Sequence, residues 1–383
     1  MSEDFIVITT NTALLEYCEQ IKGSKWLAID TEFEREKTYY SELCLLQVTD
    51  GSKPAIIDPL SIEDLTPIMD LFYDTSIIKI FHSARQDLEI FFNLNRSIPA
   101  PLFDTQIAAP LLGFPEQIGY ANLVKAMIGV ELSKSHTRTD WKRRPLNNGQ
   151  LQYAIDDVIY LGQIYEKMIE QLTKLDRLDW LDKDFLGMTE PDIYEPETDQ
   201  VWKKIRSANR LKGKKLAVLQ SLAKWREETA RNENRPRNWL LRDDAMIDLS
   251  HQLPDNKNAV FSIKGIHERV ARKYSAELIR IIEEAQNTDP QPIDDKKRSK
   301  SLKPEQEALV DVMMAIVRIR AAENDLSPSS LAPKKEIERL LKNEVSIVTT
   351  SWRKRMIGDE LNAFLNGKIS LSIVEMSLQI ASK

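Results

Sequence analysis

Glycine is scarce in this sequence, at 12 of 383 residues or about 3%, against roughly 7% in average proteins. Neither glycine-rich phosphate-binding pattern, G-x-x-x-x-G-K-[ST] or G-x-G-x-x-G, is present, which argues against P-loop and dinucleotide-binding proteins. No run of 18 apolar residues occurs, so the sequence predicts no membrane-spanning helix. The N-terminus begins with acidic Glu3 and Asp4 and lacks the basic head and apolar middle of a signal peptide.

Cysteine is also rare. Cys18 and Cys44 are the two cysteines of the sequence, and their spacing does not match a zinc site. We interpret both as buried thiols in a reducing compartment and predict a cytoplasmic protein.

The net charge of −6 conceals two halves of opposite sign. Residues 1–200 carry 34 acidic and 18 basic side chains, a net charge of −16, whereas residues 201–383 carry 25 acidic and 35 basic ones, a net charge of +10. A basic half favours a polyanionic partner, and an acidic half favours divalent cations, although ordinary surface charge would explain either one alone.

The first half of the chain has short apolar runs bounded by turn residues, which predict β-strands. A helix is predicted to begin at Ser61, because a serine cap is followed by acidic residues. Apolar residues at helical spacing predict one long amphipathic helix over 147–173. The predicted strands lie at Trp26–Asp30, Leu43–Val48, Ala55–Ile57 and Ile77–Phe81.

The second half lacks strand patterns and is predicted to be helical. An acidic, proline-containing linker is placed at 189–206, and a second linker at 289–302. The first domain then covers 1–188, and two helical modules cover 207–288 and 303–383. Shifting the first module by 90 positions aligns Leu219 with Leu309 and Leu222 with Val312, which indicates an internal duplication unless chance matches of apolar residues produce it.

Asp30 and Glu32 end the first predicted strand, and strand alternation directs both side chains to one face. Two neighbouring carboxylates are unfavourable unless a cation lies between them. A solvated strand end is the ordinary alternative, since Asp-x-Glu also occurs elsewhere in the chain.

Two further acids accompany this pair. Asp87 follows a later strand and opens a helix, where a simple interaction with the helix dipole would also explain it. Tyr153 and Asp157 are four residues apart on the long helix, so they share one face. Apolar neighbours place Asp157 near the packing face, where an unpaired acid would be unfavourable.

The order of these motifs resembles the three exonuclease motifs of the DEDD superfamily, and Tyr153 resembles the tyrosine of its DEDDy branch. The segments 26–33, 81–89, 103–106 and 137–146 are similar to those of the ribonuclease D family. The two helical modules resemble its HRDC modules, the first more closely than the second. The resemblance implies an α/β ribonuclease-H-like exonuclease domain, a mixed sheet flanked by helices, followed by two all-α HRDC-like domains.

The resemblance also implies a catalytic site with two divalent metal ions, Mg²⁺ or Mn²⁺. Asp30 would bridge both ions, Glu32 and Asp157 would complete one site, and Asp87 would hold the second ion directly or through water. Tyr153 would orient the attacking water, because a phenol titrates too high to be a simple base. Oxygen ligands suit Mg²⁺, so the presence of only four histidines is no obstacle.

Substrate-binding roles are assigned with structural alternatives left open. His82 is a substrate contact or a packed strand-end histidine, and Gln47 faces the terminal nucleotide or is a paired core amide. The basic segment around Trp141 would hold a phosphate backbone and a base, or is a solvated loop. The predicted substrate-binding residues are Thr31, Gln47, His82, Arg138, Trp141 and Arg144.

The function implied is a 3′→5′ exoribonuclease that releases nucleoside 5′-monophosphates and trims structured RNAs, above all tRNA precursors, with no obligatory protein partner. A DNA exonuclease of the same superfamily is an alternative, because HRDC modules also occur in helicases. A non-catalytic RNA-binding protein on a nuclease scaffold is another, although all four acids and Tyr153 are present.

Overall fold

The computed structural model describes residues 5–132, 139–293 and 302–382. Within these ranges, none of the helices combines the length and the apolar character that a membrane crossing needs. The first part of the chain forms a mixed sheet flanked by helices, and the second part is mostly helical.

A six-stranded sheet in the order β1-β4-β3-β2-β5-β6 forms the centre of the first domain. The hairpin of β2 and β3 is antiparallel, as is the pair β3 and β4, whereas β1–β4, β2–β5 and β5–β6 are parallel. All four strands predicted from the sequence are present. The strands are β1 (Ile6–Ile8), β2 (Trp26–Glu34), β3 (Glu42–Thr49), β4 (Ala55–Ile57), β5 (Ile78–Phe81) and β6 (Leu102–Asp104).

Helices cover both faces of this sheet. The predicted long helix is confirmed as α6, which Asn147 caps by accepting a hydrogen bond from Gln150 N. The helix predicted at Ser61 is wrong, because the Ser61 hydroxyl donates to Asp58 and α2 begins only at Thr66. The helices of this domain are α1 (Asn11–Ile21), α2 (Thr66–Tyr73), α3 (Arg85–Asn95), α4 (Thr105–Ala108), α5 (Tyr120–Ile128), α6 (Asn148–Lys174) and α7 (Asp182–Met188).

The strand residues alternate between two apolar layers. Leu27 and Ile29 of β2 belong to the cluster that includes α1, α2 and α3, whereas Ala28 belongs to the cluster that includes α6. The side chains that continue the Ala28 face along β2, Asp30 and Glu32, therefore lie on the α6 side of the sheet.

The second part of the chain contains two helical modules with the same order of helices. The first module has α8 (Gly213–Asn232), α9 (Arg237–Leu240), α10 (Asp243–Gln252), α11 (Lys257–Phe261) and α12 (Glu268–Ala285). The second has α13 (Pro304–Glu323), α14 (Pro328–Leu331), α15 (Lys334–Leu341), α16 (Ser351–Arg353) and α17 (Asp359–Leu365).

The structure supports the duplication but shifts its register by one residue. The helices α13, α14 and α15 begin at Pro304, Pro328 and Lys334, each 91 positions after its counterpart in the first module. The residue pairs in this register are buried in both modules, and Asn234 and Asp325 both have a positive φ, of 46° and 49°. The buried pairs are Leu219–Val310, Leu222–Met313, Trp225–Ile316, Leu240–Leu331 and Met246–Ile337.

The C-terminal end differs from the all-α module predicted there. Strands β7 (Ile369–Val374) and β8 (Ser377–Ser382) form an antiparallel hairpin, and Leu371 pairs with Ile380 against the core. The two turn residues, Glu375 and Met376, both have a positive φ, as a type I′ turn requires. Neither is Gly or Asn, so the usual sequence signal of this turn is missing.

The first helical module also extends further towards the N-terminus than predicted. Val201, Trp202 and Ile205, assigned to the linker from sequence, are buried in the core of this module together with Leu216 and Leu219. The linker was predicted from the acidic residues at 189–197, and the apolar segment that follows begins only at Val201.

Tyr39 connects the nuclease-like domain to this module. It lies between β2 and β3, yet its side chain is buried in the core of the first helical module. Its hydroxyl donates to Glu227 Oε1 at 2.5 Å, and the Arg237 guanidinium lies 4.6 Å from its ring centroid. Arg231 also pairs with Glu227, so a single buried carboxylate joins both domains.

Burial alone would raise the pKa of Glu227, but hydrogen bonds from Arg237 and Tyr39 outweigh it and lower the pKa to about 2. Because the pKa is lower in the folded state, Glu227 contributes stability above about pH 4, and this contribution fades as the pH falls towards 2.

We expect Glu227→Gln to lower the free energy of unfolding by about 3 kcal/mol at pH 7, because it breaks the ion pairs of Glu227 with Arg231 and Arg237 and weakens its hydrogen bond from Tyr39 across the domain junction. Chemical denaturation measures the change. Glu268→Gln, which removes an exposed pair with Arg272 on α12, is the control and costs about 0.5 kcal/mol. If both variants lost the same free energy of unfolding, Glu227 would not stabilise the domain junction.

Candidate active site

Strand β2 carries two carboxylates on the face that α6 covers. Asp30 is paired in register with Gln47 of β3, and Glu32 with Leu45, just before a shift in register between Glu32 and Phe33. Strand alternation places both acids on the same side of the sheet as Ala28. The end of β2 therefore presents two acids towards the long helix.

Helix α6 supplies the third carboxylate. Asn147 and Gln150 form a reciprocal capping box at its N-terminus, which determines where the helix starts. Asp157 then lies over the end of β2. One carboxylate oxygen from each of Asp30, Glu32 and Asp157 lies within 4.8 Å of the other two.

Asp87 lies in the first turn of α3 and is joined to β2 by a hydrogen bond from the Thr31 hydroxyl. The turn that leads into α3 is held by Asp104, which accepts hydrogen bonds from Ser83 N at 3.0 Å and Ala84 N at 2.8 Å. Asp104 also caps α4 by accepting hydrogen bonds from Gln106 N and Ile107 N. Thr31 therefore orients the carboxylate of the fourth predicted acid beside the end of β2, although Asp87 is not among the three acids whose oxygens lie within 4.8 Å of one another.

Burial raises the pKa of every acid in this group, and repulsion from the other acids raises it further for Asp30 and Glu32. Burial raises the pKa of Asp30 well above its usual value, and the charges of Asp157, Asp87 and Glu32 raise it further. The pKa of Glu32 rises for the same reasons, and the pKa values of Asp87 and Asp157 rise mainly through burial. Four ionised carboxylates are thus unfavourable at neutral pH without a compensating positive charge.

Tyr153 lies one turn before Asp157, half-buried, with its ring centroid 6.2 Å from that of Trp141. Burial raises its pKa above the usual value, and the charges of Asp157, Glu32 and Asp30 raise it further. The hydroxyl consequently remains protonated at neutral pH. It is able to hold a water molecule by hydrogen bonding but not to act as a phenolate base.

Gln47 and His82 occupy different environments. Gln47 is fully buried opposite Asp30, and neither atom of its side-chain amide has a hydrogen-bond partner among the described residues. His82 has both ring nitrogens engaged: Nδ1 is 2.9 Å from Thr105 Oγ1, and Nε2 is 3.1 Å from the Ile118 carbonyl. These contacts favour a structural role for His82, and a substrate contact by either residue remains a prediction.

Trp141 and Arg144 also have structural contacts. Trp141 is buried beside Tyr153 and is not exposed for stacking on a base. Arg144 donates to both carboxylate oxygens of Asp58, at 2.7 and 2.8 Å, and to the Cys44 carbonyl at 2.7 Å. These bonds fasten its loop to the sheet. Arg138, the remaining predicted substrate contact, lies outside the described residues.

Sequence reasoning missed Tyr120, the first residue of α5. Its hydroxyl donates to the backbone carbonyls of Asp157 at 2.5 Å and Asp156 at 3.2 Å, and its ring packs against His82. Tyr120 thereby holds the middle of α6 in place beside the acids. No sequence pattern signals this role, because the contact depends on how a distant loop packs.

The donor set fits a hard divalent cation. All of its ligand atoms are carboxylate oxygens, which Mg²⁺ and Mn²⁺ prefer, and a cation would offset the repulsion that raises the pKa of Asp30. The same four acids would be a poor site for a soft metal, which favours thiolate ligands.

Comparison with known proteins gives matches along the whole chain. A 3′-5′ exonuclease family model matches residues 5–173, and an HRDC domain model matches residues 215–282. Ribonuclease D of Sphingobium indicum is 35% identical, with 96% of each chain covered. Ribonuclease D of Pseudomonas paraeruginosa is 36% identical, covering 92% of this chain and 96% of that protein.

A solved structure agrees with these relatives. Escherichia coli RNase D, described as an exoribonuclease involved in structured RNA processing, superposes with a TM-score of 0.80 at 30% identity. It covers 95% of this chain and 99% of its own. The catalytic core of RRP6 from Trypanosoma brucei shares the fold, with a TM-score of 0.58 and 23% identity.

The similarity to the ribonucleases D thus spans the acidic sheet domain and the helical modules together. The chain belongs to the ribonuclease D family of divalent-metal-dependent 3′–5′ exoribonucleases.

Proposed function

We propose that Asp30, Glu32, Asp87 and Asp157 bind two divalent cations, and that with Tyr153 they catalyse the removal of nucleoside 5′-monophosphates from RNA 3′ ends. The observation that carries this proposal is the approach of three carboxylate oxygens, from a strand and a distant helix, to within 4.8 Å of one another. A cation between acids that lie this close would compensate their repulsion.

When bound, a pair of Mg²⁺ or Mn²⁺ ions activates a water molecule and stabilises negative charge on the phosphate and the leaving oxygen. Asp30, Glu32 and Asp157 would hold these ions with their carboxylate oxygens. Thr31 would orient Asp87 towards the same centre through its hydroxyl, and the substrate contact assigned to Thr31 from sequence remains a prediction.

Tyr153 is proposed to orient the attacking water. Its hydroxyl remains protonated because the neighbouring carboxylates and burial raise its pKa, so it supplies direction rather than basicity. The ring of Trp141 packs against it and restricts its movement. Precise placement of an attacking group is itself a large contribution to rate.

Structured RNAs, including the 3′ ends of tRNA precursors, are the proposed substrates. A related structure from Escherichia coli is described in terms of structured RNA processing, which supports the general class. The first 200 residues, with a net charge of −16, would repel RNA, whereas the remaining residues, at +10, would attract it. A cytoplasmic location and action without an obligatory protein partner belong to the same proposal.

We expect Asp157→Asn to reduce exoribonuclease activity by at least about 10³-fold, because it removes a charged cation ligand from the cluster. Stepwise shortening of a 5′-labelled RNA measures the loss, and circular dichroism confirms folding. Asp156→Asn, one position away on α6, is the matched control and should retain activity. Full activity of Asp157→Asn would show that the cluster is not the catalytic centre.

We expect Tyr153→Phe to lower kcat by about 10²-fold while preserving the ring packing against Trp141, because only the water-orienting hydroxyl is lost. Single-turnover kinetics with saturating enzyme measure the chemical step. Tyr160→Phe removes a hydroxyl elsewhere on α6 and serves as the control. A rate for Tyr153→Phe equal to that of the control would exclude a role of the hydroxyl in catalysis.

A further inference from the structure

We infer that an arginine-lined pocket between α3 and the first helical module binds a phosphate group of the RNA strand upstream of its 3′ end. The pocket has a volume of about 170 Å³ and lies outside the carboxylate cluster. This inference rests on the proposed exonuclease function and adds a second contact point to it. The guanidinium groups that line this junction pocket belong to Arg35, Arg85, Arg96, Arg231 and Arg237.

One side of the junction pocket is a single face of α3. Arg85, Glu89 and Asn93 recur at intervals of four residues, which places them in a row along the helix, and Arg96 follows at the end of the helix. Asp87, between the first two, is directed to another face of α3. The catalytic cluster and the junction pocket therefore flank the first turn of the same helix.

Positive charge exceeds negative charge around the junction pocket. Glu89 and Glu195 also line it and pair with Arg35 and Arg96. Glu227 lies behind the wall and pairs with Arg231 and Arg237. Five arginines therefore face three carboxylates, which leaves two positive charges for an anion.

Two groups in the junction pocket have donors without an anionic acceptor. Arg85 donates to the Ile193 carbonyl at 2.7 Å and lies over the Tyr194 ring, and no carboxylate in the described parts of the chain is within 4 Å of its guanidinium. Asn93 Nδ2 is buried and has no hydrogen-bond partner in those same parts. A buried donor without an acceptor is unfavourable, and a rotation of the Asn93 side chain towards the pocket would let a phosphate oxygen satisfy it.

The position of the junction pocket suits the RNA backbone. Arg35 follows Glu32 by three residues, and Arg85 precedes Asp87 by two, so one end of the pocket is adjacent to the catalytic acids. When the 3′ end of an RNA strand lies at these acids, the acidic surface of the first domain repels the phosphates upstream of that end. A cationic pocket beside the acids would hold the strand where the acidic surface alone would reject it.

The test uses Asn93→Asp, which replaces the unpartnered donor by a carboxylate of the same shape. The matched control is Asn95→Asp, which adds the same charge two residues away on α3, at an exposed position outside the junction pocket. Binding of a fluorescent 20-nucleotide RNA is measured by anisotropy in EDTA, so that cleavage does not interfere. We expect Asn93→Asp to raise Kd about tenfold relative to the control.

Arg85→Gln provides a second variant. Its control is Arg280→Gln, which changes an exposed arginine on α12. We expect Arg85→Gln to weaken binding of the 20-nucleotide RNA and to reduce the salt dependence by about 0.7 in the slope of log K against log salt, the value for one phosphate contact on a single strand. Equal Kd values and equal slopes in variants and controls would overturn the inference.

Two other results would also overturn it. If Asn93→Asp raised the thermal unfolding midpoint and left RNA affinity unchanged, the arginines would be a structural cluster only. If it weakened binding of 5′-AMP but not of the 20-nucleotide RNA, the junction pocket would bind free nucleotides instead. Wild-type mononucleotide release with added Mg²⁺ is measured in parallel, so failure of the proposed exonuclease function is recognised separately.

Discussion

The repulsion among the partly buried carboxylates at the end of β2 is the constraint on which the rest of the nuclease domain depends. Asp30, Glu32, Asp87 and Asp157 all have raised pKa values, so their ionised forms are unfavourable without a compensating positive charge. Several contacts hold the acids in place despite this repulsion. These contacts are the Asn147 capping box on α6, the Tyr120 hydroxyl on the α6 backbone, and the Asp104 carboxylate on the turn before α3.

A buried acid also lies at the junction between the domains, but its pKa is lowered instead of raised. There, Glu227 is buried with arginines and Tyr39, and its pKa falls rather than rises. The acid is fully compensated within the protein and needs no ligand. The catalytic acids lack such partners, and this difference between two buried acidic sites explains why one is structural and the other is proposed to bind cations.

The sequence predicted the elements that depend on local periodicity. The four predicted strands follow from short apolar runs bounded by turn residues, and the long helix follows from 3.6-residue spacing, which also places Tyr153 and Asp157 on one face. Elements without a local signal were missed. The β7–β8 hairpin turns at Glu375 and Met376 rather than at glycine, and the repeat register of 91 residues was obscured by similar apolar residues at 90.

Side-chain partners were the least predictable part of the site. Arg144 and Trp141 matched a basic, aromatic RNA-binding pattern, but Arg144 is paired with Asp58 and Trp141 is buried beside Tyr153. Such pairings join residues far apart in sequence, and no local pattern encodes them. Tyr120 and the junction pocket were missed because their contacts also join distant parts of the sequence. The arginines of the pocket come from both domains.

The most direct test of the central claim is anomalous diffraction from crystals soaked with Mn²⁺ and a nucleoside 5′-monophosphate. The account predicts two manganese peaks about 4 Å apart, with Asp30 in contact with both ions and Glu32, Asp87 and Asp157 around them. Manganese bound elsewhere, with no peak among these four carboxylates, would contradict it.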